Sequence, residues 1–473
     1  MVSDPEAGKA QRSALETALA ALAPVRAGEG LTALAMTANV FLLLSAYYLI
    51  KPVREELILA APSGAEFKSY ASAGSALLLF IAVPIYGRAV DAMPRNRLIA
   101  LVTVFFTLCM GGFFAVGRLE WLGSLVPVEL HIWSSVAESV RGALGIPFYL
   151  WVSVFSMMLV AQFWGFANDV YDEEQGKRLF PIVGLGASVG AATGSIVTSW
   201  LLKPPGWSPL PQLDVFQLIL VSASLLLLTI FITQWVHVRE AGPATNGEAA
   251  ADDAPPEDEG RGGFALVLSH RYLILLAAFS LLFTFVNSNG EYILSKLVTA
   301  AFQAVPEDEK PGWIGAFYGE FFFYVNVVGV LLQMFAVSRI VKHGGLRIAF
   351  MVLPVLVLVS SIAVAALPLL ALLRVTKTLE NATDYSLNNT VRNMLWLPTT
   401  RAMKYKAKQV VDTVMVRLGD VSSGLLVFVG AGMLHLEVRA FAIINVALCV
   451  LWLWLARRIV TENATQSERH GAQ

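Results

Sequence analysis

The sequence predicts an all-α integral membrane protein with about twelve transmembrane helices in two six-helix halves. Of the 473 residues, 56% are hydrophobic and only 15% are charged, and the mean hydropathy of +0.64 exceeds that of soluble globular proteins. Several apolar runs approach or exceed the roughly 20 residues that a helix needs to cross a bilayer. Continuous apolar runs indicate helices, because a helix satisfies its own backbone hydrogen bonds in lipid.

The apolar runs give the helices in chain order. Their centres lie near Leu43, Leu79, Phe105, Met157, Ala191, Leu226, Leu281, Val327, Leu358, Leu387, Leu425 and Leu448. After the sixth run comes "VREAGPATNGEAAADDAPPEDEGRGGF", whose composition is typical of a flexible acidic linker. The predicted segments are an N-terminal tail (1–30), a first half (31–238), the linker (239–263), a second half (264–460) and a C-terminal tail (461–473).

Lys and Arg residues concentrate in the even-numbered loops between these helices. Arg95 and Arg97 follow the second run, and Lys404 and Lys406 follow the tenth. The odd-numbered loops hold fewer basic residues, and Lys68 is assigned to one of them. Because cytoplasmic loops carry the excess of Lys and Arg, we expect the even loops, the linker and both termini to be cytoplasmic.

Composition and motifs exclude several classes of function. A net charge of −1 gives no general basic field for nucleic acid. The two cysteines, Cys109 and Cys449, lie in apolar runs and are expected to behave as small hydrophobes rather than as a disulfide or metal pair. No GxxxxGK[ST], HExxH or CxxC motif occurs. We therefore predict a protein that is not an enzyme and needs no cofactor or metal.

Three glycines of the fifth run, Gly186, Gly190 and Gly194, are four residues apart. Small residues at this spacing let two helices approach closely. The pattern therefore predicts a packing face rather than a phosphate-binding loop.

The tenth run carries polar residues at spacings that place most of them on one helical face. They are Lys377, Glu380, Asn381, Asp384, Asn388 and Arg392. A charge inside a span costs roughly 2.5–3.5 kcal/mol on insertion scales, so this face is expected to avoid lipid. It either lines a water-filled cavity or forms a structural ladder of ion pairs.

Polar residues also interrupt the seventh and eighth runs. The segment "FVNSNGEYILSK" brings together Asn287, Asn289 and Glu291. Glu320, in the eighth run, either faces the interior or sits near a membrane surface. Ionisable residues inside a span are functional-site hypotheses by default.

The first run ends in the charged stretch "YYLIKPVREELILAAPSGAE". Lys51 and Arg54 are three residues apart and share a helical face, and both side chains bind phosphate through charge-assisted hydrogen bonds. Glu55 follows as a partner or gate. Tyr48 either stacks on a ring of the substrate or simply packs among the helices or at the membrane interface. The alternative is that these side chains simply extend from the helix end to water.

Two loops resemble the cytoplasmic loop pattern of the major facilitator superfamily. "IYGRAVDAMPRNRLIALV" joins helices two and three, and "AVSRIVKHGGLRIAFMVL" joins helices eight and nine about 250 residues later. The resemblance implies two halves that rock about a midplane site, in a protein that is monomeric by the default of that superfamily. The alternative is a pair of ordinary positive-inside loops.

Three stretches resemble the nucleotide transporter family, the ATP/ADP translocases of plastids and intracellular bacteria. They are "LIKPVREELILAAPSGAE", "FWGFANDVYDEEQGKRLFPIVGLGAS" and "RNMLWLPTTRAMKYKAKQVVDTVMVRLGDVSSG". The resemblance implies exchange of ATP for ADP plus phosphate across a bacterial inner membrane. Lys51, Arg54 and Glu55 match charged positions of that family.

The sequence departs from the family pattern at two positions. The segment "FYLWVSVFSMMLVAQ", before the second stretch, has no acidic residue where the translocases have one. Asp420 stands where they have a lysine. A cation has thus become an anion at a position implicated in transport.

The leading hypothesis is an antiporter of nucleotides or related phosphorylated anions that works by alternating access. The predicted substrate-binding residues are Lys51, Arg54, Tyr48, Asn168, Asn287, Asn289 and Arg392, and the predicted coupling or gating residues are Glu55, Glu291, Glu320, Lys377, Glu380, Asp384 and Asp420. Its partners are an anionic small molecule and membrane lipid. The alternatives are a proton- or cation-coupled transporter of another metabolite or amphiphile, and a non-transporting scaffold or sensor on a transporter fold.

Overall fold

The computed structural model of the chain describes residues 13–19, 24–119, 143–240, 262–400 and 402–471. Within these ranges the regular structure is helical, with no strand. The predicted linker 239–263 lies mostly outside the described residues, and the predicted tails 1–30 and 461–473 lie partly outside them.

Six long helices make up the first part of the described chain. They are α1 (Gly30–Leu59), α2 (Gly64–Ala92), α3 (Arg95–Gly117), α4 (Gly145–Val170), α5 (Glu173–Leu202) and α6 (Val215–Glu240). The turn into α5 has a defined start, because Asp172 accepts a hydrogen bond from the Gln175 backbone while the Gln175 side chain accepts one from the Asp172 backbone.

Six more helices follow. They are α7 (Arg271–Gln303), α8 (Trp313–Leu331, the π turn Leu332–Ala336 and residues 337–344), α9 (346–366), α10 (370–394), α11 (Met403–Met433) and α12 (Val438–Gly471). Short helices cover Ala14–Leu19 and Gly263–Ser269, and a 3₁₀ turn covers Glu307–Glu309.

The described helices agree with the twelve that the sequence predicts. Ten stretches of the described chain are long and apolar enough to cross a membrane, and one of them, Trp313–Ala366, has 54 residues. Gly345, at φ 65° and ψ 179°, interrupts that stretch and divides it into α8 and α9, which makes eleven. Helix α10 is the twelfth; its polar face keeps its hydropathy low.

The chain divides into two compact units. Unit 1 comprises Met1–Val53, Val83–Arg141 and Val152–Thr245. Inside it, Gly186, Gly190 and Gly194 of α5 meet the backbone of α1. A methyl group on Gly186 would lie 2.7 Å from the Thr37 carbonyl oxygen, one on Gly194 would lie 2.6 Å from that of Ser45, and one on Gly190 would lie closer still to that of Phe41. The predicted packing face is confirmed.

Unit 2 comprises Arg54–Ala82, Gly142–Trp151 and Asn246–Gln473. Its apolar core joins α7, α9 and α12 through stacked and tilted rings. Phe279 lies 4.6 Å from Phe350 and 5.7 Å from Trp452, ring centre to ring centre. Unit 2 also holds the end of α1, the first part of α2 and the start of α4. The division into two six-helix halves stays a prediction.

Candidate substrate site

Ionisable side chains from four helices of unit 2 meet in one place. We call them the charged cluster: Arg54 and Glu55 of α1, Lys68 of α2, Glu291 of α7, and Lys377 and Glu380 of α10. Helix α1 continues through Pro52 to Leu59, so Arg54 and Glu55 are held by regular helix rather than by a loop.

Glu55 is the most buried member of the charged cluster. Its side chain is 0% exposed. One carboxylate oxygen accepts hydrogen bonds from the Arg54 guanidinium at 3.0 Å and 2.5 Å, and the other lies 2.8 Å from Lys68 Nζ. The Arg54 guanidinium also lies 4.3 Å from the centre of the Tyr149 ring. Two cations therefore offset the cost of burying this carboxylate.

Lys68 is the residue that sequence reasoning missed. It was assigned to a loop, but it lies in α2, buried among the helices. Its ammonium donates to Ser295 Oγ at 3.0 Å, lies 5.1 Å from the centre of the Tyr318 ring and is 3.9 Å from Glu291. The available signal was its position two residues after the family-like stretch that ends in "SGAE".

Glu291 bridges two lysines and holds neither closely. One oxygen is 3.9 Å from Lys68 Nζ and the other is 3.6 Å from Lys377 Nζ. The Asn381 amide donates to Glu291 at 3.3 Å. At 27% side-chain exposure, Glu291 is the most accessible member of the cluster, against 14% for Arg54 and 9% for Lys68.

Lys377 is nearly inaccessible, with 1% of its side chain exposed. It donates to Asn287 Oδ1 at 2.7 Å and lies 3.3 Å from Glu380, one turn further along α10. The polar face predicted for the tenth helix therefore points into unit 2, and Asn287 joins it from α7.

Opposite charges balance within the charged cluster. Arg54, Lys68 and Lys377 supply the cations. Glu55, Glu291 and Glu380 supply the anions. A buried ion is stable only when it is paired, and each cation of the cluster lies within 4 Å of a carboxylate oxygen. Glu291 has the longest contacts of the three carboxylates, and its side chain is the most exposed.

Two carboxylates near the cluster tie α1 and α2 to later helices. Glu56 accepts hydrogen bonds from the backbone N–H groups of Gly312 and Gly315 at 3.1 Å and 2.6 Å, at the start of α8. Glu66 accepts from Lys296 at 2.8 Å and from the Tyr292 hydroxyl at 3.0 Å. We call these contacts of Glu56 and Glu66 the clasp.

Several predicted site residues lie in unit 2 with other partners. Asn289 is fully buried and donates to Asn445 Oδ1 at 2.8 Å and to the Phe441 carbonyl, which links α7 to α12. Arg392 donates to Asp412 at 2.9 Å. Neither of these two contacts a member of the cluster through the hydrogen bonds and ion pairs of the described residues.

The remaining predicted coupling residues of unit 2 form separate pairs. Asp384 accepts from Asn388 within α10 at 2.7 Å. Asp420 accepts from Ser288 of α7 at 2.8 Å and lies 3.2 Å from Arg417. Glu320 is partly exposed and accepts from Arg374 at 2.6 Å.

Three predicted substrate contacts lie in unit 1. The Lys51 ammonium lies 4.9 Å from the centre of the Tyr48 ring, an attractive cation–aromatic geometry. Asn168, near the end of α4, lines a surface cavity of about 730 Å³ together with Asp172 and Lys177.

Comparison with known proteins now bears on this site. The family model described as TLC ATP/ADP transporter matches residues 146–463, about two thirds of the chain. The chain belongs to this family. The matched region contains α7 and α10 of the charged cluster, whereas Arg54, Glu55 and Lys68 precede it.

Curated relatives extend the likeness over most of the chain. The chain is 25% identical to ADP,ATP carrier protein 1 of Chlamydia trachomatis, covering 87% of this chain and 85% of the relative. It is 21% identical to ADP,ATP carrier protein 1 of Rickettsia conorii, covering 93% and 94%. Chloroplastic ADP,ATP carrier protein 2 of Arabidopsis thaliana is 22% identical over 89% and 72%. The family predicted from the sequence is confirmed.

Solved structures support the fold. The nucleoside transporter NupG has a TM-score of 0.58 at 12% identity, covering 91% of this chain and 98% of that chain. A bacterial homologue of the iron transporter ferroportin, in its inward-facing state, also has a TM-score of 0.58, at 15% identity, covering 90% and 98%. The predicted all-α membrane fold of the major facilitator type is confirmed.

Proposed function

We propose that this member of the TLC ATP/ADP transporter family exchanges ATP for ADP, or closely related nucleotides, and that the substrate phosphates bind at the charged cluster. The observation that carries the site is Glu291, a bridging carboxylate 3.9 Å from Lys68 and 3.6 Å from Lys377. A phosphate group has the same charge sign, and its oxygens accept hydrogen bonds from ammonium groups. The names of the relatives support nucleotides as the substrate.

The proposed exchange is a competition between Glu291 and phosphate. In the empty site Glu291 neutralises the lysines that the substrate needs. When phosphate binds, it takes over Lys68 and Lys377, and Glu291 turns into the accessible space beside it. The empty site thus remains charge-balanced, which makes release of one nucleotide before entry of the next less costly.

Substrate binding is proposed to act on the clasp through Lys68. Lys68 contacts Glu55 at 2.8 Å and Ser295 at 3.0 Å, next to the Glu66 contacts with α7. A phosphate that draws Lys68 away weakens the link between α2 and α7. A ligand changes a conformational equilibrium only by such differential contacts. Glu55 is then the gating residue that the sequence predicted.

Other predicted residues complete the proposal. The residues that remain proposed as substrate contacts are Lys51, Tyr48, Asn168, Asn289 and Arg392. Asp384, Asp420 and Glu320 remain proposed coupling residues. We propose that the protein is a monomer in a bacterial inner membrane. We also propose that both termini lie in the cytoplasm, because basic residues are concentrated in the even loops.

Uptake of labelled ATP into proteoliposomes loaded with ADP tests the site. Glu291→Gln removes the competitor, so we expect a lower KM and a lower maximal rate, because bound nucleotide leaves slowly. Lys68→Gln removes a phosphate ligand, and we expect KM to rise roughly tenfold or more. If Glu291 had only a structural role, Glu291→Gln would not lower KM.

The matched control is Lys310→Gln, which removes a lysine paired with Glu307 in a 3₁₀ turn outside the cluster. It should leave KM unchanged. Unchanged KM in both cluster variants would remove the charged cluster from the substrate site.

The same assay separates exchange from proton coupling. An antiporter requires ADP inside the vesicle. ATP uptake into empty vesicles that follows an imposed pH gradient would favour the proton-coupled alternative, and binding of no nucleotide at all would remove the nucleotide hypothesis.

A further inference from the structure

A groove of about 740 Å³ lies between α9 and α12 in unit 2. Its volume is in the range of small-molecule sites. The walls are apolar over most of the length, with Val355 and Val359 on α9 and Leu453 on α12. One arginine from each helix, Arg347 and Arg457, completes the lining.

The apolar wall follows one face of α9. Ile348, Val355 and Val359 are 58%, 46% and 60% exposed and recur at helical spacing. Both helices belong to stretches that are long and apolar enough to cross a membrane, so we expect this face to meet hydrocarbon. An acyl chain lying along the groove covers apolar surface at no cost in desolvation.

The two arginines make the lining of this groove positively charged. Both are exposed, and neither forms an ion pair with another described residue. The groove lining contains no acidic residue. From residue 321 to residue 379 the sequence has no Asp or Glu, although it includes Arg339 and Lys342. Two guanidinium groups therefore line the groove with no carboxylate among the lining residues. A ligand with negative charge would complement them.

The backbone adds to the positive potential. Gly345 adopts φ 65° and ends the preceding helical segment, so Arg347 lies in the first turn of α9. The unpaired N–H groups of a helix start favour negative charge. Basic pockets between membrane helices near the interface are typical sites for anionic lipid head groups.

We propose that the α9–α12 groove binds a phospholipid whose head group carries net negative charge. The lipid phosphate lies between Arg347 and Arg457, and an acyl chain lies along Val355 and Val359. A zwitterionic head group supplies the same phosphate but adds a cation, so it complements the arginines less well. This site is independent of the charged cluster and of the proposed exchange activity.

Native mass spectrometry of the full-length protein in detergent tests the groove. The probes are phosphatidylglycerol and phosphatidylcholine with identical acyl chains, and inorganic phosphate. We expect phosphatidylglycerol to bind more tightly. The double variant Arg347→Gln/Arg457→Gln should weaken its binding roughly thirtyfold, since each basic side chain near a membrane surface contributes about 1 kcal/mol.

The matched control is Arg458→Gln. Arg458 is the neighbour of Arg457, but its guanidinium lies 5.5 Å from the centre of the Trp454 ring and it does not line the groove. The control should bind lipid as the unmodified protein does. If the double variant does not purify as a folded protein, Arg347→Lys/Arg457→Lys keeps the charge and should keep the preference for phosphatidylglycerol.

Three results would overturn the site. They are equal binding of the two lipids, an equal loss in Arg458→Gln, and displacement of phosphatidylglycerol by millimolar inorganic phosphate, which would identify a general anion site. Transport is not part of the readout, so failure of the exchange hypothesis leaves this test intact.

Discussion

Two regions of helix α1 are held by opposite kinds of contact. Near its middle, α1 meets glycines of α5 backbone to backbone, at distances that leave no space for a methyl group. At its end, Glu55 meets Lys68 through an ion pair. Close apolar packing depends on shape and has one good arrangement. An ion pair depends on charge, and another group of the same charge can take the place of either partner. One helix thus combines a close backbone contact near its middle with an ion pair near its end.

The largest expected effect comes from breaking the charged contacts with Lys377→Met. This change leaves Glu380 buried without its cation, and removing one partner of a buried pair costs about 3–5 kcal/mol. We expect a clear fall in the apparent melting temperature of the purified protein. The double variant Lys377→Met/Glu380→Gln should recover part of the loss; no recovery would show that the two side chains are not coupled.

A somewhat smaller effect is expected from the glycine contacts. Gly190→Val places a branched side chain against the backbone of Phe41, and overpacking of this kind costs about 1–3 kcal/mol. Gly112→Ala in α3 is the control, because nothing lies within 4 Å of a methyl group there. Equal melting temperatures for the two variants would contradict the described α1–α5 contact.

Glu56 and Asp172 each accept backbone hydrogen bonds at the start of a helix, so the loss of each acceptor can be compared. Glu56→Ala removes the acceptor for Gly312 and Gly315 N–H, and Asp172→Ala removes the one for Gln175 N–H. Each loss should cost about 0.5–2 kcal/mol of stability. Only Glu56 also joins α1 to α8, so we expect Glu56→Ala alone to change the maximal exchange rate. An equal effect of both variants on exchange would argue against a gating role.

The smallest effect concerns pH at the start of α1. Hydrogen bonds from Arg178, at 2.7 Å and 2.8 Å, lower the pKa of Glu29 below its usual range. A lowered folded-state pKa stabilises the protein above the unfolded-state pKa, and this stabilisation is lost as pH falls through the folded value. Glu29→Gln should therefore reduce stability at neutral pH, and the difference from the unmodified protein should shrink as pH falls into the acid range in which Glu29 becomes protonated, as measured by thermal unfolding. A constant difference across that range would contradict the ionised pair.

Much of the fold could be predicted because its signals are local. Each apolar run is a property of consecutive residues, and all twelve predicted centres fall within described helices. The glycine spacing in α5 and the polar face of α10 are also local periodicities, and both proved to point at neighbouring helices. The family could be recognised from short stretches whose order follows the chain.

The site could be predicted only in part because its contacts are distant in sequence. The structure brings together four of the residues predicted for coupling or gating, namely Glu55, Glu291, Lys377 and Glu380. Lys68 was assigned to the loop between the first two apolar runs, whereas it lies in α2. Asn289 and Asp420 were indistinguishable in sequence from cluster members, yet they contact Asn445 and Ser288 instead.

The sequence by itself determined the membrane class, the helices, the family and the presence of buried charge, because hydropathy and periodicity are written along the chain. Only the tertiary structure decided which charges meet. Lys68 and Lys377 are far apart in sequence, and their placement on either side of Glu291 depends on how α2, α7 and α10 pack. An ion pair forms over a few ångströms in space, and sequence distance carries no information about that separation.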